Sequence, residues 1–120
     1  MIKRVVVYGS RNYYNYDEAK RYIDFCISKI RYKYTLVFVS GGCRGADSLG
    51  ERYARENGFE LEIYNAEWEI YGNRAGPLRN KIMAETGDYF ICFWDGNSKG
   101  TANMIYFVNL QNKPIKIKFV

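Results

Sequence analysis

Four short segments of this sequence carry residue types that bind phosphate. The densest is Val39-Ser-Gly-Gly-Cys-Arg-Gly-Ala-Asp47, with three glycines in five residues between an apolar strand and a helix start. Glycines let the backbone approach a ligand and leave amide N–H groups unpaired. The helix that follows adds its own free N–H groups and the positive end of its dipole. Glycine turns also serve as plain connectors, so this loop alone leaves binding and connecting equally open. The other segments are Gly9-Ser10-Arg11, Tyr71-Gly-Asn-Arg-Ala-Gly-Pro-Leu-Arg-Asn80 and Asp95-Gly-Asn-Ser-Lys-Gly-Thr101.

Their side chains suit an anion. Ser10, Ser98 and Thr101 can donate to phosphate oxygens, and Arg11, Arg44, Arg74 and Arg79 can pair with them. Gly9, Gly41, Gly42, Gly45, Gly76, Gly96 and Gly100 permit close backbone approach, and Asn80 completes the expected ligand-binding set. Asp47 favours the dipole of its helix, with acceptance from a ribose as the alternative. Asp95 either caps a turn or holds ligand hydroxyls. Trp94 continues an apolar strand and reads as core rather than as a stacking platform; Tyr71 is free to stack. Cys43 lies beside a helix start with no base nearby and reads as a small turn residue. The glycine loop lacks the Lys-Ser/Thr ending of a P-loop. The pattern implies no cofactor and no metal.

The elements that must position these loops follow from hydrophobic period. Residues 2–8, with Val5, Val6 and Val7 at their heart, and the apolar run 36–39 suit strands buried on both faces. Asn15-Tyr-Asp-Glu18 predicts a helix cap, and Ala19, Ile23, Cys26, Ile27 and Ile30 carry that helix to about Arg31. A second helix spans 46–56, with Gly58 as its stop. Phe59-Glu-Leu-Glu-Ile63 alternates, as a half-exposed strand does. Residues 65–76 read as an irregular binding loop, and Pro77 opens a third helix that turns Leu78, Ile82 and Met83 inward before Gly87. A strand over 89–94 is apolar throughout. The helix after Thr101 carries Met104, Ile105 and Val108, and residues 114–120 alternate isoleucine with lysine, suiting a sheet edge.

Strand and helix therefore alternate four times before a closing strand. This predicts an α/β, Rossmann-like three-layer sandwich with a parallel five-stranded sheet in a single domain over 1–120. Apolar strands one, two and four belong at the centre and alternating strands three and five at the edges. With right-handed crossovers the order is 3-2-1-4-5. Ligands bind such sheets beyond the carboxyl ends of the strands, where the chain reverses between strands one and four.

Composition sets outer limits. The 120 residues are 48% hydrophobic and 26% charged, the balance of a soluble globular protein. No apolar run reaches the roughly 18–20 residues that span a bilayer. The N-terminus enters a strand directly, without signal-peptide architecture. Three cysteines in no metal-ligand spacing, and no histidine, point to the cytoplasm and away from zinc and from a histidine base. The net charge of +5 is dispersed, which argues against a dedicated nucleic-acid surface.

The four motifs together, including Arg79-Asn-Lys-Ile-Met83 and Phe93-Trp-Asp-Gly-Asn-Ser-Lys-Gly-Thr101, resemble the YspA-type branch of the SLOG superfamily over nearly the whole chain. The resemblance implies a Rossmann-like fold and a nucleotide-derived ligand, NAD- or ADP-ribose-related, and allows a homodimer. SLOG relatives include the LOG phosphoribohydrolases, which cleave base from nucleoside monophosphate, and the DprA group, which binds single-stranded DNA. Arg79 is similar to the LOG arginine, and Gly100-Thr101 to the Gly-Thr of the LOG phosphate loop. LOG enzymes follow that Gly-Thr with a glutamate; here Ala102-Asn103-Met104 follows. A sensor or sequestering protein is therefore the expected function. A hydrolase is the alternative, with Asp47, Glu67 or Asp95 standing in for the missing carboxylate and Arg79 assisting. A single-stranded nucleic-acid module is the weaker one.

Overall fold

The computed structural model describes residues 1–120. Five parallel strands, β1 (Ile2–Gly9), β2 (Thr35–Ser40), β3 (Glu60–Ile63), β4 (Tyr89–Trp94) and β5 (Ile115–Phe119), form one sheet in the order β3-β2-β1-β4-β5. That is the order expected from strand character. β1 sits at the centre, pairing Val5 with Phe38 on one side and with Tyr89 on the other. Its alternation explains the uninterrupted apolar run. Val5 and Val7 pack towards α1 (Tyr16–Ile27) and α2 (Ala46–Glu56), while Val6 and Tyr8 pack towards α4 (Ala75–Thr86) and α5 (Lys99–Leu110). Two apolar layers thus share one strand. At the β3 edge, Arg4 of β1 reaches across β2 and donates to Glu62 at 2.8 Å. No helix is long and apolar enough to cross a membrane.

Local chemistry sets the helix starts. The Asn15 side chain accepts from the Glu18 N–H at 3.2 Å and begins α1. Ser98 begins α5, accepting from the Thr101 N–H at 3.4 Å. α1 ends at Ile27 and not near Arg31: the Ser28 hydroxyl donates to the Phe25 carbonyl at 3.0 Å, and the chain tightens into a 3₁₀ turn at Ile30–Tyr32.

The larger departure lies between β3 and β4. Residues 65–76 are not irregular throughout: a one-turn helix α3 (Trp68–Tyr71) and a 3₁₀ turn (Gly72–Arg74) lead directly into α4. α4 begins at Ala75, which places Pro77 third in the first turn, where an amide N–H has no helical acceptor to lose. The buried stripe of α4 is Ala75, Gly76, Asn80, Met83 and Ala84. Leu78 and Ile82, expected inside, are exposed at 38% and 49%. Trp94 is only half-buried, its indole N–H donating to the Ser98 carbonyl at 3.2 Å. On β5, Ile115 and Ile117 are half-buried, while Phe119 on the same face is largely exposed beside Trp94, with ring centroids 5.8 Å apart.

Candidate functional site

The carboxyl ends of β1, β2 and β4 bring three glycine-bearing loops and the middle of α4 to one place. Ser10 ties the loops together. Its N–H donates to the Phe93 carbonyl at 2.8 Å, its carbonyl accepts from Ala46 at 3.1 Å, and its hydroxyl accepts from the Asp95 N–H at 3.0 Å. Gly9 allows this meeting, since a Cβ there would lie 2.0 Å from the Phe93 carbonyl oxygen.

The second loop is braced from both sides. Asp47 is buried, and its carboxylate Oδ2 accepts the N–H groups of Gly41 at 3.1 Å and Cys43 at 3.4 Å. Arg79 comes from α4 and donates through Nη1 to the Gly41 carbonyl and through Nε to Asn80 Oδ1 at 3.0 Å. Gly41 must lack a side chain, because a Cβ would stand 2.8 Å from Arg79 Nη1 and 2.9 Å from Asp47 Oδ2. Asn80 is held in turn, donating to Asn103 Oδ1 at 3.0 Å and to the Gly100 carbonyl at 3.3 Å. The Cys43 sulfur lies between two guanidiniums, 3.8 Å from Arg79 Nη2 and 4.0 Å from Arg11 Nη2.

These groups enclose a cavity of about 60 Å³. Arg11, Cys43, Ser98 and Gly100 stand at its more exposed side, and Tyr8, Asp47, Met83, Thr101 and Met104 at its buried side. The volume suits one tetrahedral oxyanion or a few waters. Pockets that engulf a whole small molecule are roughly 300 Å³ or more, so most of a nucleotide would lie along the open loop edge. A guanidinium has five N–H donors. Of these, Arg79 directs one at Gly41, one at Asn80 and one at the Cys43 sulfur, which leaves two for a ligand.

Two carboxylates differ sharply here. Burial pushes the Asp47 carboxyl up to about 6, although the Arg79 guanidinium and the N–H groups of Cys43 and Gly41 pull it down. Asp95 is held below the usual range by the N–H groups of Ser98 and Asn97, each 2.8 Å from its Oδ1. Asp95 is thus a turn cap at the surface, the first of its two expected roles. Asp47 does more than favour a dipole: it fixes the glycine loop and lines the cavity.

Of the expected ligand-binding residues, Gly9, Arg11, Asp47, Arg79, Asn80, Ser98, Gly100 and Thr101 meet at this cavity. Ser10, Gly41, Gly42, Gly45, Asp95 and Gly96 shape the loops around it without lining it, and Arg44 points to solvent. Arg74 and Gly76 are elsewhere. Arg74 borders a separate open groove beside Pro77 and Leu78, and Gly76 lies under the Trp68 ring. Glu67 and Tyr71 are exposed and outside the cavity. The residue overlooked by sequence reasoning is Tyr8. The available signal was a hydroxyl-bearing side chain closing a run of three valines, directly before the glycine of the first loop. Cys43, Met83 and Met104 also line the cavity, although their types announce only turn and core.

A parallel sheet of this order, with glycine loops and arginines gathered where the chain reverses, defines a Rossmann-like α/β protein with its candidate site at the switch point. Residues 3–71 match the YAcAr family, described as the YspA, cpYpsA-related SLOG family, and the chain belongs to that family. The match covers β1 through α3; Arg79 and the α5 loop lie beyond it. The chain is 38% identical over 106 residues to the Gene 61 protein of Mycobacterium phage D29, spanning 83% of each. Among solved structures it is similar to DNA processing protein A (DprA) from Streptococcus pneumoniae, with a TM-score of 0.56 and 15% identity. That likeness covers 97% of this chain and 58% of DprA, and at such identity it concerns the fold.

Proposed function

We propose that the protein binds a nucleotide-derived, phosphate-bearing small molecule at the carboxyl edge of its sheet, as a sensor or a sequestering protein. The observation that carries this reading is the cavity itself. Two guanidiniums with free donors, the Ser98 and Thr101 hydroxyls and the start of the twelve-residue helix α5 all border one oxyanion-sized space. Arginines supply paired charged donors, and the helix start supplies N–H groups and a favourable dipole. NAD- and ADP-ribose-related molecules fit the family context. The test is equilibrium binding of nucleoside monophosphates, NAD, ADP-ribose and cyclic ADP-ribose isomers, followed by chromatography of the recovered ligand. Recovery of one member intact and bound supports the reading; no binding by any member rejects it.

A second reading, hydrolysis of an N-glycosidic or phosphate-linked bond, draws on Asp47. A buried carboxyl that titrates near 6 and borders the cavity suits general acid or base chemistry. Asp95 and Glu67 lie outside the cavity and leave Asp47 as the stand-in for the missing LOG-type glutamate. In this case chromatography finds product, and Asp47→Ala abolishes it.

A further inference from the structure

Tyr8 is the last side chain of β1 before the glycine of the first loop, and it shares the α4/α5 layer with Met83, Cys92 and Met104. Its surface is 4% exposed, and its hydroxyl is buried without a hydrogen-bond partner. The Cys92 thiol lies close to it, but a thiol is at best a weak partner and leaves the hydroxyl without a full hydrogen bond. Buried hydroxyls are paired in the great majority of proteins, because an unpaired one loses its hydration without replacement. Tyr8 is among the residues that line the cavity, as are Met83, Met104 and Thr101.

We infer that the Tyr8 hydroxyl donates a hydrogen bond to an uncharged oxygen of the bound ligand, a sugar hydroxyl or a carbonyl, seated inward of the phosphate. The inference rests on the nucleotide reading above and adds to it which part of the ligand enters first. Charge separates the two ends of the cavity. Arg11 stands at the exposed side, with Ser98 and the start of α5. The buried side offers two methionines and the Asp47 carboxylate, whose charge already faces the Arg79 guanidinium, surroundings better suited to an uncharged oxygen than to a second anion. Burial also raises the phenol's pKa far above its ordinary value, so it stays protonated and acts as a donor.

The test compares wild type with Tyr8→Phe in two measurements. The first is thermal stability without ligand. Removing an unpartnered hydroxyl leaves the melting temperature unchanged or raises it; a fall beyond about 4 °C, on the scale of one lost hydrogen bond in a small domain, means the hydroxyl has an internal partner and overturns the inference. The second is titration with AMP, ribose 5-phosphate and inorganic phosphate. Tyr8→Phe weakens AMP by about tenfold, the worth of one good hydrogen bond, and leaves inorganic phosphate within about twofold. Ribose 5-phosphate weakens together with AMP, because adenine carries no oxygen and the acceptor in AMP must be a sugar hydroxyl; unchanged ribose 5-phosphate affinity places the hydroxyl on a base nitrogen and overturns the inference. Equal loss for phosphate and AMP places the hydroxyl on the phosphate and overturns it. So does unchanged AMP affinity, and in both cases the nucleotide reading stands. Failure of wild type to bind any of the three removes that reading and the inference together.

Discussion

Asp47 and Arg79 grip the same residue from opposite sides: the carboxylate accepts the Gly41 N–H while the guanidinium donates to the Gly41 carbonyl. The two side chains come from different helices, α2 and α4. Their common target is the backbone of the glycine loop between β2 and α2. The loop's shape therefore depends on a buried acid and a cation that hold one residue by the two peptide units flanking it.

Arg79 has two tasks, holding the loop and offering its remaining donors to the cavity. Arg79→Ala removes both, and phosphate-bearing ligands are expected to bind about 10- to 100-fold more weakly, the range for charge-assisted hydrogen bonds of roughly 1.5–3 kcal/mol. Arg79→Lys keeps the charge without the planar fork and restores only part of the loss. Calorimetric titration of both variants checks this. Wild-type affinity in Arg79→Ala would contradict the placement of the site.

The same pair predicts a pH dependence. The folded Asp47 carboxyl titrates near 6, above its ordinary 3.8, so the folded state holds its proton more tightly than the unfolded state does. Its contribution to stability is fully present below about 3.8 and is lost as pH rises through 6. The difference corresponds to about 3 kcal/mol at most. Glu51 pushes in the same direction, while Arg79 and the loop N–H groups oppose it. Glu56, Glu62 and Asp95 are shifted down, so their contributions run the opposite way and are lost as pH falls. Urea unfolding of wild type and Asp47→Asn between pH 4 and 7.5 isolates the effect. The variant gains on wild type as pH rises, and parallel curves would contradict it.

Gly41 has no need of left-handed backbone; only space excludes a side chain. An alanine Cβ would meet Arg79 Nη1 and Asp47 Oδ2 inside 3 Å and push the two apart. Gly41→Ala is expected to fold with a loss of about 1–3 kcal/mol and to bind ligand at least tenfold more weakly. Circular dichroism and titration on one preparation separate the two effects. Unimpaired binding would show that the grip on Gly41 is dispensable.

The parts of the molecule legible in the sequence are those where one local rule acts alone. Strand order followed from which runs were apolar on both faces, and the cap at Asn15 from a side chain that reaches its own helix. The cavity was legible only as a gathering of loops. Ser10 and Asp95 have the chemistry of ligand donors and acceptors, but the backbone uses them first. Arg74 and Arg79 lie five residues apart in similar company. Arg79 lies within α4, whose phase turns it into the cavity, while Arg74 lies in the 3₁₀ turn before that helix and borders a separate groove.

That phase gives the last prediction. Ile82 and Met83 are adjacent in sequence and both apolar, and the sequence pattern placed both inside. In the structure Met83 is 1% exposed and Ile82 is 49% exposed. Truncating a buried methionine costs about 2–5 kcal/mol through lost burial and the cavity left behind. An exposed side chain typically costs within about 0.5 kcal/mol. Met83→Ala should therefore unfold at a much lower urea concentration than wild type, while Ile82→Ala stays close to it. Equal losses would mean that α4 turns a different face to the sheet, and that Arg79 no longer faces the loop between β2 and α2. The pair of stability measurements thus tests the position of the site's principal cation without any ligand.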